Sequence, residues 1–352
     1  MSETNLEFTL PDDLVREMHN TFSDASDNTL AKILRQSLQF GLLADKMAPS
    51  GDRLYIVQHG KRMRISSDLA PGQGKVDEDG IPLFSLEESD HPINPAEDLQ
   101  EVWKNIGAQL HESPEEFQQQ AKADIHDVSQ QIAATLPNYL NTSQLQILAS
   151  LHEGVRVVDS LRPIKQLKKI ASLKNFLERM IVDTYGQIFP PFSSAILLAK
   201  ATFESNFATW KTYIEAHEIM HTLSQNGLQQ TLNEAATDLY AALISGINPK
   251  NRLGQNLAYA YDSWKLIDQI AGSQLAFQGY CEAPLKLITT DARRRPIAVQ
   301  YIDSAFHDHM REQLGKTKDD ASLWDTIMLN FERNEPKKGL ELLKNRSTVP
   351  QL

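Results

Sequence analysis

The residues of this chain best suited to chemistry lie within the run His217-Glu-Ile-Met-His221. Two histidines four positions apart lie on one face of a helix, so both imidazoles can reach a single metal ion. Zinc in hydrolases takes three protein ligands and leaves a fourth position for water. Glu218, beside the first histidine, is then placed to act as a general base toward that water. The spacing predicts a zinc-dependent hydrolase.

A third ligand is available in the next predicted helix. The pair Pro190-Pro191 breaks the chain before the histidine helix, and Asn226-Gly227 is typical of a helix end. The chain then continues into Asn233-Glu-Ala-Ala-Thr-Asp238. Its carboxylate Glu234 stands 234 − 221 = 13 positions after the second histidine, just beyond that turn and near the start of the next helix. We predict Glu234 as the third zinc ligand.

Together the two runs resemble the zinc-binding segment of the gluzincin metallopeptidases, in which HExxH is followed by a helix bearing Asn-Glu-x-x-x-Asp. The resemblance covers residues 217–238. It implies a zinc cofactor and a protein or peptide substrate, with Glu218 passing the proton from water to the leaving amine. It also implies that Asp238 hydrogen-bonds one of the ligand histidines without touching the metal.

Two other interpretations use the same residues. Glu218 and His221 form Glu-x-x-His, which ligates metal in ferritin-like di-iron bundles when a second such pair faces it. The other Glu-x-x-His of this chain, Glu88 to His91, lies in a proline-rich stretch, which disfavours that site. Alternatively, His217 and His221 are polar-face residues of a bundle helix and bind no metal.

His307 and His309 lie further along the chain, in Ser304-Ala-Phe-His-Asp-His. One of these imidazoles could stabilise an oxyanion near the zinc, because a positioned donor favours developing negative charge. The pair could instead form the solvated end of a helix. The residues alone leave both interpretations open.

Apolar residues spaced three and four apart predict helices through most of residues 99–352, which we interpret as one helical domain. The predicted helical stretches are 99–110, 114–136, 142–161, 164–185, 193–224, 232–244, 253–271 and 322–331. Residues 283–302 are expected to form the only strand pair of this domain. The predicted fold class is mainly α, with a helical C-terminal domain and a small N-terminal strand-helix-helix module.

Residues 1–66 are predicted to form that N-terminal module. Residues 5–10 alternate as in a strand, and two amphipathic helical stretches follow. This order resembles the ribbon-helix-helix (CopG/MetJ-like) fold, in which two chains pair their strands and place the ribbon in the DNA major groove. The resemblance implies a homodimer whose outward residues are Asn5, Glu7 and Thr9, with or without DNA binding. An ordinary amphipathic helical hairpin is the other interpretation.

Composition limits the remaining classes of function. The chain has 352 residues, 41% of them apolar, and a net charge of −11, which restricts any DNA contact to a local patch. The single cysteine, Cys281, excludes an internal disulfide, and no apolar run approaches the ~20 residues of a membrane span. We see no secretion signal at the N-terminus, so the expected compartment is the cytoplasm. Residues 67–98, rich in proline and acids, are predicted to be a linker.

Two hypotheses of function follow from these patterns. The first is a zinc-dependent metallopeptidase that acts on a regulatory or other protein, with an N-terminal module that pairs chains or binds DNA. The second is a non-catalytic regulatory protein whose helical domain binds a partner. Metal content distinguishes them.

Overall fold

The computed structural model describes residues 53–58, 61–65, 94–167, 181–182, 186–188, 194–224, 227–282, 284–302, 304–318 and 321–346. Within these residues 69% are helical and 11% lie in strands, which confirms the prediction of a mainly α fold. Asn5, Glu7 and Thr9 and the two helices predicted after them lie outside the described residues, as does 67–93 of the predicted linker. None of the described helices is both long and apolar enough to cross a membrane.

Eleven α-helices are present in the described chain. They are α1 (Pro95–Ile106), α2 (Glu115–Thr135), α3 (Thr142–Ser150), α4 (Arg162–Leu167), α5 (Ala208–Leu223), α6 (Gln230–Ser245), α7 (Gln255–Ala271), α8 (Ser273–Cys281), α9 (Ala305–Leu314), α10 (Leu323–Glu332) and α11 (Pro336–Arg346). Helices α8, α9 and α11 lie outside every stretch that the apolar spacing predicts as helix.

The helix ends follow local chemistry. Asn141 and Gln144 form a reciprocal capping box that begins α3. Ser304 and Ser322 accept hydrogen bonds from backbone N–H groups in the first turns of α9 and α10. Helix α6 ends at Gly246, whose φ of 72° is a left-handed conformation that glycine adopts without a steric cost.

A four-stranded antiparallel sheet joins two distant parts of the chain. Its strands are β1 (Arg53–Gln58), β2 (Lys61–Ile65), β7 (Leu285–Thr290) and β8 (Pro296–Ile302), in the order β2-β1-β7-β8. The β7–β8 hairpin confirms the strand pair predicted over 283–302. The β1–β2 hairpin lies within the predicted N-terminal module, yet β1 pairs along β7 of the helical domain.

A second four-stranded sheet corrects the expectation of a single strand pair. It contains β3 (Val155–Val158), β4 (Ile181–Val182), β5 (Gly186–Ile188) and β6 (Ile196–Ala199), in the order β3-β6-β5-β4. The predicted helices over 142–161, 164–185 and 193–224 are therefore wrong in part, because each includes strand residues. Strands β3 and β6 pair in parallel and are almost wholly buried, and a short buried apolar run has the same sequence pattern in a strand as in a helix.

Helices α5 and α6 contribute buried side chains to the main hydrophobic core. The same cluster includes buried side chains of α2, α7 and α8 and the rings of Trp264, Phe277 and Trp324. A core of this size holds the two helices in one relative position, because a packed interior resists small displacements. That position determines which polar side chains meet between them.

Candidate metal centre

Helices α5 and α6 each carry a pair of polar residues at helical spacing. Helix α5 carries His217 and His221, and α6 carries Glu234 and Asp238. Residues four apart lie on one face, so each helix presents both members of its pair on the same side. Ala235, Ala236 and Ala241 of α6 are fully buried as well.

The side chains of His217, His221 and Glu234 converge between the helices. The two Nε2 atoms are 3.1 Å apart, and Oε2 of Glu234 lies 3.5 Å from that of His217 and 3.4 Å from that of His221. This is a His-His-Glu group at metal-binding distance. The His221 side chain is buried, whereas 12% of His217 and 18% of Glu234 remain accessible. Solvent therefore reaches the group on the side of His217 and Glu234.

The distances fit a zinc ion. Tetrahedral zinc with bonds of about 2.0–2.2 Å holds its nitrogen and oxygen ligands about 3.3–3.5 Å apart, close to the three separations measured here. In addition, Oε1 of Glu234 is buried and has no hydrogen-bond partner among the described residues. Two imidazoles and a carboxylate are also the donor set of many catalytic zinc sites. The residues present suit zinc in both spacing and chemistry.

The outer nitrogen of His217 faces a carboxylate. Its Nδ1 lies 3.0 Å from Oδ1 of Asp238, which is an ion-pair distance, while its Nε2 belongs to the group in the centre. The hydroxyl of Tyr213, one turn earlier on α5, donates a short hydrogen bond to the same oxygen of Asp238. The resemblance to gluzincins implies that Asp238 hydrogen-bonds a ligand histidine, and that role stays a prediction.

The outer nitrogen of His221 faces α6 as well. Its Nδ1 lies 3.4 Å from the hydroxyl oxygen of Thr237, which is fully buried. The Thr237 oxygen is also 2.9 Å from the hydroxyl of Tyr280 on α8, and Tyr280 donates a hydrogen bond of 2.7 Å to the carbonyl of Met220. Three helices are thus joined by one buried polar chain that ends at His221.

The group shifts the ionisation of its own members. Burial disfavours the charged form of His217, but hydrogen bonds to Asp238 and Glu234 outweigh burial, so the pKa of this imidazole lies well above its usual value. Burial likewise opposes the charge on Glu234, yet the adjacent imidazoles of His221 and His217 hold its pKa well below the usual range. The carboxylate is therefore ionised at neutral pH.

Glu218 follows His217 on α5 and is almost fully buried. Its negative charge contributes to the raised pKa of the His217 imidazole. Glu215, three residues earlier on the same helix, is buried too. Burial, and then the nearby charge of Asp124, raises the pKa of Glu215 to about 8 against the opposing charge of Lys211. At neutral pH Glu215 is therefore protonated and uncharged.

His307 and His309 lie on α9, away from this group. His307 is fully buried, stacks on Tyr301 with ring centroids 3.8 Å apart, and accepts a hydrogen bond of 2.8 Å from the indole of Trp324. None of its contacts within the described chain reaches the metal-binding group. His309 is half-buried. The predicted oxyanion role of these histidines stays a prediction, and the structure gives His307 a place in the core.

Three residues that shape the group carry no motif of their own. Tyr213 precedes His217 by one helical turn, and helical spacing would have placed it on the same face. Thr237 lies inside the Asn-Glu-x-x-x-Asp run, where the gluzincin pattern leaves the residue type open. Tyr280 follows Thr237 by 43 positions, and only tertiary packing brings it to the site. Asn233, which the motif includes, bonds Ser224 at the end of α5 and not a ligand.

Compared with known proteins, this chain matches no protein-family model, no curated protein and no solved structure. The resemblances to gluzincins and to ribbon-helix-helix proteins therefore have no family match behind them. The function has to be inferred from the group between α5 and α6.

Proposed function

We propose that this protein is a zinc-dependent hydrolase, a metallopeptidase that cleaves peptide bonds in a protein, such as a regulatory protein. The observation that carries the proposal is the convergence of His217, His221 and Glu234 at separations that suit tetrahedral zinc. These three residues would hold the ion. A zinc ion held there supplies Lewis-acid polarisation of a peptide carbonyl and makes a water molecule more acidic.

The chain's own residues divide the remaining work. Asp238 fixes the ring of His217, and Thr237 lies against the ring of His221, so both Nε2 atoms are directed inward. Glu218 is the general base in this proposal, because it is buried and directly follows the first ligand on α5. It takes a proton from the attacking water and later passes it to the leaving amine.

Replacing Glu218 by glutamine tests this assignment. Glu218 is not a ligand here, so Glu218→Gln should keep the full zinc content while hydrolysis of a library of internally quenched peptides falls by about 10²- to 10⁴-fold. The matched control is Glu215→Gln, on the same helix and equally buried. Because Glu215 is uncharged at neutral pH, its amide analogue should keep both zinc and activity.

The competing candidate is a non-catalytic protein that uses the helical domain to bind a partner. If Glu218→Gln keeps its zinc and loses no turnover of any peptide that the parent cleaves, the base is not Glu218. If the parent carries zinc and cleaves nothing, the ion is structural and this second function is favoured.

We also propose that the segment before β1 pairs two copies of this chain. The alternation over residues 5–10 and the two amphipathic stretches after it support a strand that pairs with that of a second chain. We propose a homodimer on this ground, with DNA as an additional partner only if the paired strands present Asn5, Glu7 and Thr9 to a major groove.

A further inference from the structure

In the buried polar chain at His221, the hydroxyl of Thr237 has three polar neighbours but only one proton to donate. Oγ1 of Thr237 lies 2.9 Å from the carbonyl of Asn233, 2.9 Å from the hydroxyl of Tyr280 and 3.4 Å from Nδ1 of His221. A hydroxyl donates once and accepts through two lone pairs. Which partner receives its proton decides what Thr237 can offer to His221.

The hydroxyl proton of Tyr280 is donated to the carbonyl of Met220. The carbonyl of Met220 can only accept, so the Tyr280 hydroxyl, 2.7 Å away, donates to it. Burial raises the pKa of Tyr280 well above its usual value, which keeps that hydroxyl protonated. Tyr280 can therefore take a hydrogen bond from Thr237 but has no proton to give it.

The proton of Thr237 is likewise directed away from the histidine. Its two nearer partners, the Asn233 carbonyl and the Tyr280 oxygen, are both acceptors. Whichever of them receives the proton, the lone pairs of Thr237 face Nδ1 of His221. Of the three polar groups around this oxygen within the described chain, only the imidazole can then donate an N–H to it.

We propose that Thr237, oriented by Tyr280, is a positioning residue that holds His221 with its proton on Nδ1 and the Nε2 lone pair toward the metal. The proposal rests on the proposed metal site and deepens it. It gives the two histidines different outer partners, a carboxylate for His217 and a hydroxyl for His221. It also makes α8 part of the metal centre although α8 supplies no ligand.

Zinc affinity of the full chain, measured by competition with a chromogenic chelator, tests the proposal. Thr237→Val keeps the shape of the side chain and removes the acceptor, so zinc affinity should fall by about 10- to 100-fold, the range for residues that support a ligand. Thr237→Ser keeps the hydroxyl and should restore affinity to within a few-fold of the parent. Tyr280→Phe should lose less than Thr237→Val, because Thr237 can still donate to Asn233.

Two further measurements separate positioning from packing. Long-range proton–nitrogen NMR spectra of the zinc-loaded parent should show the His221 proton on Nδ1. Tyr240→Phe is the matched control, since Tyr240 is a buried tyrosine whose ring packs on Tyr280 at 5.3 Å and whose hydroxyl makes no hydrogen bond to Thr237 or His221. Its zinc affinity should equal that of the parent.

The outcomes also separate this inference from the proposed function. Unchanged affinity in Thr237→Val, or equal losses in Thr237→Val and Thr237→Ser, would overturn the positioning role while leaving the metal site in place. A proton on Nε2 of His221 in the zinc-loaded parent would overturn it as well. A parent that binds no zinc would overturn both. Loss of activity with normal zinc affinity in Glu218→Gln bears only on the proposed function.

Discussion

Nδ1 of His217 lies 3.0 Å from Oδ1 of Asp238, across the interface between α5 and α6. The contact joins a residue of the HExxH run to the last residue of the Asn-Glu-x-x-x-Asp run. It also explains why the carboxylate of Glu234, one turn earlier on α6, meets Nε2 of the same ring. Each nitrogen of the His217 imidazole thus lies near a carboxylate. Of the two carboxylates, Glu234 also lies near His221.

Because Asp238 lies beside Nδ1 of His217, we expect the substitution Asp238→Asn to change zinc affinity. Asp238→Asn keeps the shape but weakens the acceptor for the Nδ1 proton, so zinc affinity should fall by roughly 10- to 100-fold. Chelator competition measures it. Asp262→Asn is the control, because Asp262 pairs with Lys250 at the surface and should leave affinity unchanged. An Asp238→Asn protein with the affinity of the parent would contradict a role for this contact.

Metal content provides the broadest check. Protein purified without chelator should carry close to one zinc per chain by elemental analysis. His217→Ala and His221→Ala should remove it, and Glu234→Ala should lower both zinc affinity and hydrolysis, because a third ligand is lost. His309→Ala, outside the group, should keep the zinc. If the purified protein carried no transition metal, the proposal of a zinc-dependent enzyme would be wrong.

The buried His307 predicts a pH dependence of stability. Burial, then the charges of Arg311 and Lys286, hold the pKa of this imidazole well below its usual value, so the folded protein keeps it neutral. The unfolded chain takes up the proton below about pH 6.5. The unfolded state therefore binds more protons as pH falls, and the free energy of unfolding should decrease by up to about 1.4 kcal/mol per pH unit from this residue.

Replacing His307 by asparagine isolates that contribution. Asparagine keeps an acceptor near the indole of Trp324 but cannot be protonated in this range. In chelator, the decline of unfolding free energy between pH 6.5 and 4.5 should be shallower in His307→Asn than in the parent, whatever the variant loses at pH 7. Parallel denaturation curves across that range would show that His307 is not held neutral.

The pairing of β1 with β7 changes which truncation should be used to test the dimer. A chain that begins at residue 51 keeps the β1–β2 hairpin and the whole sheet. If residues 1–50 pair two chains, the full protein should sediment as a dimer and this truncated chain as a folded monomer. A full-length monomer at micromolar concentration would refute the pairing.

Removal of residues 1–66 should have a different result. It takes β1 away from β7 and leaves one row of backbone N–H and C=O groups on β7 without partners. We expect a lower midpoint of thermal unfolding and self-association of this chain, compared with the chain that begins at residue 51. Equal midpoints for the two truncated chains would show that the hairpin adds little to the fold.

Much of the metal-binding group follows from sequence spacing. Four-residue intervals place His217 with His221 and Glu234 with Asp238, because a helix repeats its faces at that interval. The β7–β8 hairpin is also apparent from its alternating residues. The strands β3 and β6 are not, because buried apolar runs have no period that separates strand from helix. For the same reason the start of α5 is predicted too early.

The sequence by itself determined the chemistry available and the face of each helix on which it lies. Tertiary structure decided the rest. It brought α6 against α5 so that Glu234 reaches both imidazoles, and it placed Tyr280 of α8 behind Thr237. It also placed His307 in the core. Sequence spacing alone does not distinguish a histidine at a solvated helix end from one that is buried in the core. The physical reason is that local spacing determines only the face of the helix on which a side chain lies. Which other side chain it contacts depends on how the whole chain packs to bury its apolar surface.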